Sequence, residues 1–204
     1  MPLSLAAPED ICNAALGRLG WKFRIGSLWD GATATKAALD IYGQTRDELL
    51  RSKDWGFAER IVSLTLLKTA PPGGYTPVTP WTAAYPILPW RYEYLYPGDT
   101  LKVRSIRAQP ILIPPFAPRP KVFRVANDPT LTPPAQVILT DVVNAILVYT
   151  GQVTDPLAME PMFLEELVAS LARRLAPVVA NLDAAKVEAG DEAAAMQAAE
   201  SKEG

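Results

Sequence analysis

Chemistry needs side chains that titrate, ligate or attack, and this chain is short of them. It has no histidine and one cysteine, Cys12. Without imidazole, histidine-based triads, histidine zinc sites and imidazole acid–base steps are excluded. Cys12 falls on an apolar stripe with no histidine to lower its pKa, which predicts a buried thiol rather than a nucleophile. Carboxylates occur in pairs, Asp40 with Asp47 and Glu165 with Glu166. These lie on helical patterns among arginines, where a solvated, salt-bridged face accounts for them. A hydrolase working through two carboxylates is therefore the weakest reading, because no spacing singles out a pair. Gly17 and Gly20 lack the preceding strand of a phosphate loop, and Gly73-Gly74 is flanked by prolines with no helix following. Both read as punctuation. No aspartate run has calcium-loop spacing. The expectation is a protein that is not an enzyme, with no catalytic residue, metal or cofactor.

Binding is better served than catalysis. Arg91, Arg104, Arg107, Arg119 and Arg124 lie among Trp81, Tyr85, Trp90, Tyr92, Tyr94 and Tyr96. Arginine and aromatic side chains are enriched at protein interfaces, which favours protein contact. The competing reading is a nucleic-acid-binding or packaging accessory protein that stacks bases on this surface. A plain β core with snorkelling arginines accounts for some of these residues under either reading. Arg173 and Arg174 interrupt a long helical stripe. They either cap carbonyls at the helix surface or meet acids on a neighbouring subunit.

Two materials position these groups. Fifteen of the twenty prolines fall between Pro71 and Pro134, where long helical patterning is absent. On either side, apolar residues recur at helical spacing. The first helix is expected from about Pro8 to Leu19, with Gly20 as its stop. The second is expected from about Thr33 to Lys53, burying Ala38, Ile41, Tyr42, Thr45 and Leu49, with Arg46, Asp47 and Glu48 mostly off that face. Gly43 inside it reads as a close approach to the first helix. Ile61 to Leu67 reads as one strand-like run and 75–90 as a long loop. Arg91–Tyr96, Leu101–Ile106, Ile111–Ile113, Val122–Val125, Val137–Leu139 and Ala145–Tyr149 complete six or seven short strands of a small antiparallel sandwich or barrel. Phe163, Leu164, Leu167, Val168, Leu171, Leu175, Val178 and Val179 then form a broad helical stripe, with a kink or break expected at Pro177.

The fold class expected is α+β, a helical body carrying an inserted antiparallel β domain. Its segments are 1–60 helical, 61–150 β, 151–181 the long C-terminal helix, and 182–204 an acidic, alanine-rich tail. The tail holds six acids and two lysines, too thin an apolar face to hold a helix unaided. The net charge of −2 gives no whole-chain drive toward nucleic acid or anionic lipid. No apolar run nears the roughly 18 residues of a membrane span, and Met1–Ala7 does not read as a secretory signal. Synthesis in a reducing cytoplasm is the expectation.

Three patches carry a resemblance. They are Ile11–Leu16 with Leu19-Gly20 and Ile25–Leu28; Tyr42 and Arg46–Ser52 with Trp55–Ala58; and Tyr149, Val153–Pro156, Met162-Phe163, Leu167 and Leu171–Ala176. Their order and spacing resemble the head-to-tail adaptor of tailed bacteriophages, also called tail tubular protein A in short-tailed phages. The likeness spans about 8–62 and 145–181. Lys53-Asp54 departs from the pair usual before the tryptophan. The resemblance implies a virion protein that forms a ring, commonly of twelve copies, beneath the portal protein. DNA would pass through its lumen without being gripped, and no membrane would be involved. A subunit and portal interface is then expected through Arg46, Arg51, Arg173, Arg174, Leu182, Val187 and Met196. Tail or nozzle proteins would meet Trp81, Tyr85, Trp90 and Tyr92.

Overall fold

A computed structural model describes residues 6–20, 25, 33–108 and 121–200; side chains at 33–37, 39 and 181–200 are outside the description. Among the described residues the chain is α+β, with three α-helices and seven strands in two antiparallel sheets. It divides into two compact units, Met1–Leu49 with Val153–Gly204, and Leu50–Gln152.

In the first unit, α1 (Pro8–Arg18) begins with proline at its first position, and the Asp10 carboxylate accepts the Ala7 N–H at 3.2 Å. Proline forfeits nothing there, since that N–H has no intrahelical partner. The helix ends where Gly20 takes a φ of +77°, a region glycine enters without a Cβ clash. Ile11, Cys12, Ala15 and Leu16 form its buried face. Asn13 donates to the Ile25 carbonyl at 2.8 Å and accepts the Ile25 N–H at 2.7 Å, mimicking a backbone pairing that holds Ile25 inside.

Helix α2 (Thr33–Ser52) buries Ala38, Tyr42, Thr45 and Leu49, as its period requires, and Ile41 is half-buried. Arg46 departs from expectation: it is buried too, paired with Asp47 at 2.8 Å and lying over the Tyr42 ring at 5.8 Å. Its four-residue spacing from Tyr42 puts the guanidinium beside that ring. Gly43 marks no close approach, because a Cβ there would have nothing within 4 Å.

Helix α3 (Pro161–Glu200) buries Phe163, Leu167, Val168, Leu171, Ala172, Leu175 and Val179, and it packs against α1. The break expected at Pro177 does not occur. Burial of Leu175 before it and Val179 after it holds both turns in place despite the lost hydrogen bond. The backbone stays helical past 181 to Glu200.

In the second unit, β1 (Glu59–Ser63), β7 (Ile146–Gly151) and β4 (Thr100–Arg107) form one sheet in the order β1-β7-β4. The other sheet has the order β2-β3-β6-β5, from β2 (Leu66–Thr69), β3 (Tyr92–Leu95), β5 (Phe123–Asp128) and β6 (Ala135–Thr140). Tyr94 and Ile138 from one sheet share a buried cluster with Ile106, Leu147 and Tyr149 from the other. The run Ile61–Leu67 is thus two strands in different sheets. Leu64 donates its N–H to Ala145 beside β7, whereas the Thr65 carbonyl accepts from Leu95 of β3. The central strands β6 and β7 are covered on both faces, which explains their unbroken apolar runs. The strand expected at Ile111–Ile113 lies outside the described residues.

Candidate interaction surfaces

The four arginines expected at a subunit interface meet different fates. Arg46 is enclosed as above. Arg51 is exposed, and its Nε donates to the Leu101 carbonyl at 3.3 Å within the second unit. Arg174 forms an ion pair with Glu48, both sides about two-fifths exposed. Arg173 is exposed and donates to Ser170 Oγ at 3.1 Å. Arg46, Arg173 and Arg174 belong to one unit and Arg51 to the other. Leu182, Val187 and Met196 lie on α3, with their side chains outside the described residues.

The aromatic group also divides. Trp81 is 45% exposed, and its indole N–H donates to the Pro86 carbonyl at 2.8 Å, closing a turn of the 75–90 loop on itself. Tyr85 meets Tyr75 edge-on, ring centroids 5.7 Å apart. Trp90 is half-buried, and its enclosed indole N–H finds no acceptor among the described residues. Tyr92 belongs elsewhere. Two-residue alternation along β3 places it on the same face as Tyr94, 6.2 Å ring to ring, and it packs against the core cluster. The loop's solvent-facing apolar groups are Val78, Trp81 and Leu88. Further bonds brace it: Thr76 N–H to the Thr79 carbonyl, Tyr85 N–H to Thr82, and Trp90 N–H to Ile87. Ala70 N–H donates to the Arg91 carbonyl across its base.

Of the arginines read as a stacking platform, Arg104 is spoken for. It donates to Thr150 Oγ1 at 2.9 Å, Glu59 at 2.9 Å and the Trp55 carbonyl at 2.6 Å. Next to it Lys102 pairs with Asp54 at 2.8 Å, and that hydrogen bond holds the Asp54 carboxyl below its usual range. Arg91 and Arg124 are exposed, Arg107 is half-buried, and Arg119 lies outside the described residues.

The groups that titrate unusually are enclosed ones. Burial, with Glu9 adding to it, pushes the Cys12 thiol up to about 12, as expected of a core thiol. Burial likewise raises the Tyr42 hydroxyl to about 12. A cluster that patterning did not reveal sits in the four-stranded sheet. Lys68 on β2 pairs with Asp128 on β5 and stands 3.6 Å from Glu93 on β3, which is wholly buried. Lys68 also donates to Thr130 Oγ1 at 2.8 Å. Asp128 accepts from the Thr130 N–H at 2.9 Å and its hydroxyl at 2.7 Å. Burial lifts the Asp128 carboxyl, but Lys68 and Thr130 together outweigh it and hold it well below the carboxylate range. Glu93 is raised by burial first and by Asp128 second. Lys68 and Glu93 are cross-strand partners, and Asp128 joins them through the three-dimensional course of β5, so no local pattern links the three. No substrate reaches Glu93 while it is enclosed.

No protein-family model matches this chain, and no curated protein matches it.

Proposed function

We propose that this chain is a structural adaptor of a tailed bacteriophage, assembling as a ring beneath the portal and joining the capsid vertex to the tail. In this reading the two chain ends make a helical body, and the β unit is an insertion that faces the distal tail. The observation that carries it is the hydrogen-bonded 75–90 loop, which keeps Val78, Trp81 and Leu88 in solvent. A braced loop that exposes large apolar side chains suits docking, because ordering it adds little further cost on binding. Exposed Arg173 and the acids of α3 supply charge for a head-to-tail contact between copies. Such a contact closes into a ring when each subunit bears two different complementary patches.

The test is the mass of the purified protein, alone and mixed with its portal protein. A ring, or a ring formed only on portal, is the expected result. A monomer that ignores portal would end the proposal. A salt-sensitive shift of single-stranded DNA would favour the nucleic-acid reading instead.

A further inference from the structure

The outer face of α3 carries a pattern that is complementary to itself. Met162, Ala169 and Ala176 recur every seven residues, so they lie along one line of the helix. Met162 is 75% exposed, and the other two positions hold only a methyl group. Charge brackets the line. Glu165 and Glu166 stand on one side of Ala169 and Arg173 on the other. Arg174 is turned off the line and is paired with Glu48.

These charges do not meet within one chain. Met162, Glu165, Glu166 and Ala169 line an open groove of about 360 Å³ beside Arg18 of α1. Among the described residues Glu165 is exposed and enters no ion pair of its own. Arg173 is exposed too, and a carboxylate would displace its hydrogen bond to Ser170 Oγ. Eight residues of helix rise about 12 Å, so Arg173 cannot reach back to Glu165.

Orientation decides what fits this face. Two parallel copies in register would set glutamate against glutamate and arginine against arginine. Turned antiparallel about a two-fold axis at Ala169, the same surfaces bring Arg173 of each copy to Glu165 and Glu166 of the other. That turn also sets each Met162 against Ala176 of the second copy, a large side chain on a small one. At the axis, Ala169 lets the two helices approach closely.

We propose that the free protein pairs through α3, two copies lying antiparallel across Ala169 with Arg173 of each in the groove of the other. The contact spans about four turns of one helix, short of the roughly 1,200 Å² of a stable interface, so the pair is weak and forms at about 10 to 100 µM. It is independent of the adaptor proposal, because neighbours in a ring of more than two copies are not related by a two-fold axis.

Sedimentation of the full chain without portal protein, from about 1 to about 300 µM, reads the mass. Monomer at the low end and dimer at the high end is the expected result. Arg173→Glu gathers like charge at both ends of the contact and should weaken pairing by at least about tenfold. Adding Glu165→Arg and Glu166→Arg to that variant restores opposite charges and should bring the dimer back, with circular dichroism reporting that each variant is folded. Wild-type protein that stays monomeric throughout, or a dimer that Arg173→Glu leaves intact, would overturn the pair. So would a folded triple variant that stays monomeric. Rings formed by the free chain with no dimer on the way would support the adaptor reading and overturn this one.

Discussion

The Cys12 thiol shows how burial alone silences a reactive group. With no exposed surface and a pKa near 12, it should resist thiol reagents at about pH 8 in the folded protein and react fully in denaturant. Equal labelling rates in both conditions would contradict its burial. Lys68 is the opposite case, a charge whose removal strands others. Lys68→Met leaves two enclosed carboxyls without a cation and should cost about 3–5 kcal/mol, read by urea denaturation at neutral pH. The two acids also set opposed pH dependences. Asp128, depressed, contributes stability above its unfolded value of 3.8 that is lost as pH falls through its folded pKa. Glu93, raised, contributes stability that is full below its unfolded value of 4.5 and is lost as pH rises through its folded pKa. Stability from this pair therefore peaks in weakly acidic solution. Glu93→Gln should flatten the alkaline side and leave the acid side in place.

Helices α2 and α3 each hold a residue that their propensity disfavours. Gly43 has open space where its Cβ would be, so Gly43→Ala should stabilise by about 1 kcal/mol through reduced backbone freedom in the unfolded chain. Pro177 interrupts the hydrogen bonding of a continuous helix, and Pro177→Ala should add up to about 3 kcal/mol. Denaturant midpoints report both, and a loss of stability on Pro177→Ala would mean the helix is shaped around the proline. The β strands tell a different story. Their apolar stretches are visible in sequence, but the division of Ile61–Leu67 between two sheets is not. It depends on which partner strand each backbone N–H meets, and residues 64 and 65 choose differently.

If copies assemble as the adaptor proposal has it, Arg173 is the sharper probe of a charged contact between them. Its hydrogen bond reaches only to Ser170, three residues away, whereas Arg174 is already paired with Glu48. Under the adaptor proposal, Arg173→Glu should leave thermal unfolding unchanged and lower the ring fraction seen by native mass measurement. A variant that still forms rings at wild-type concentration would remove Arg173 from the contact. Deleting residues 182–204 should likewise leave a folded protein that binds portal more weakly; undiminished binding would free the tail of any docking role.

Periodicity marked the three helices, most of their described buried residues and the inert cysteine, because a local repeat of 3.6 residues dictates which side chains share a side, but not the run of α3 from Pro161 to Glu200. It also located the proline-rich β region and the start and stop of α1, which depend on neighbouring residues. Register and burial were decided only in three dimensions. Arg46 reads in the sequence as mostly off the buried face, yet Asp47 and the Tyr42 ring make its burial tolerable. Tyr92 was grouped with the loop aromatics by proximity in the chain, yet the pleat turns it inward. Lys68, Glu93 and Asp128 have no shared pattern to betray them, since strand pairing and tertiary packing join residues at separations that no local repeat encodes.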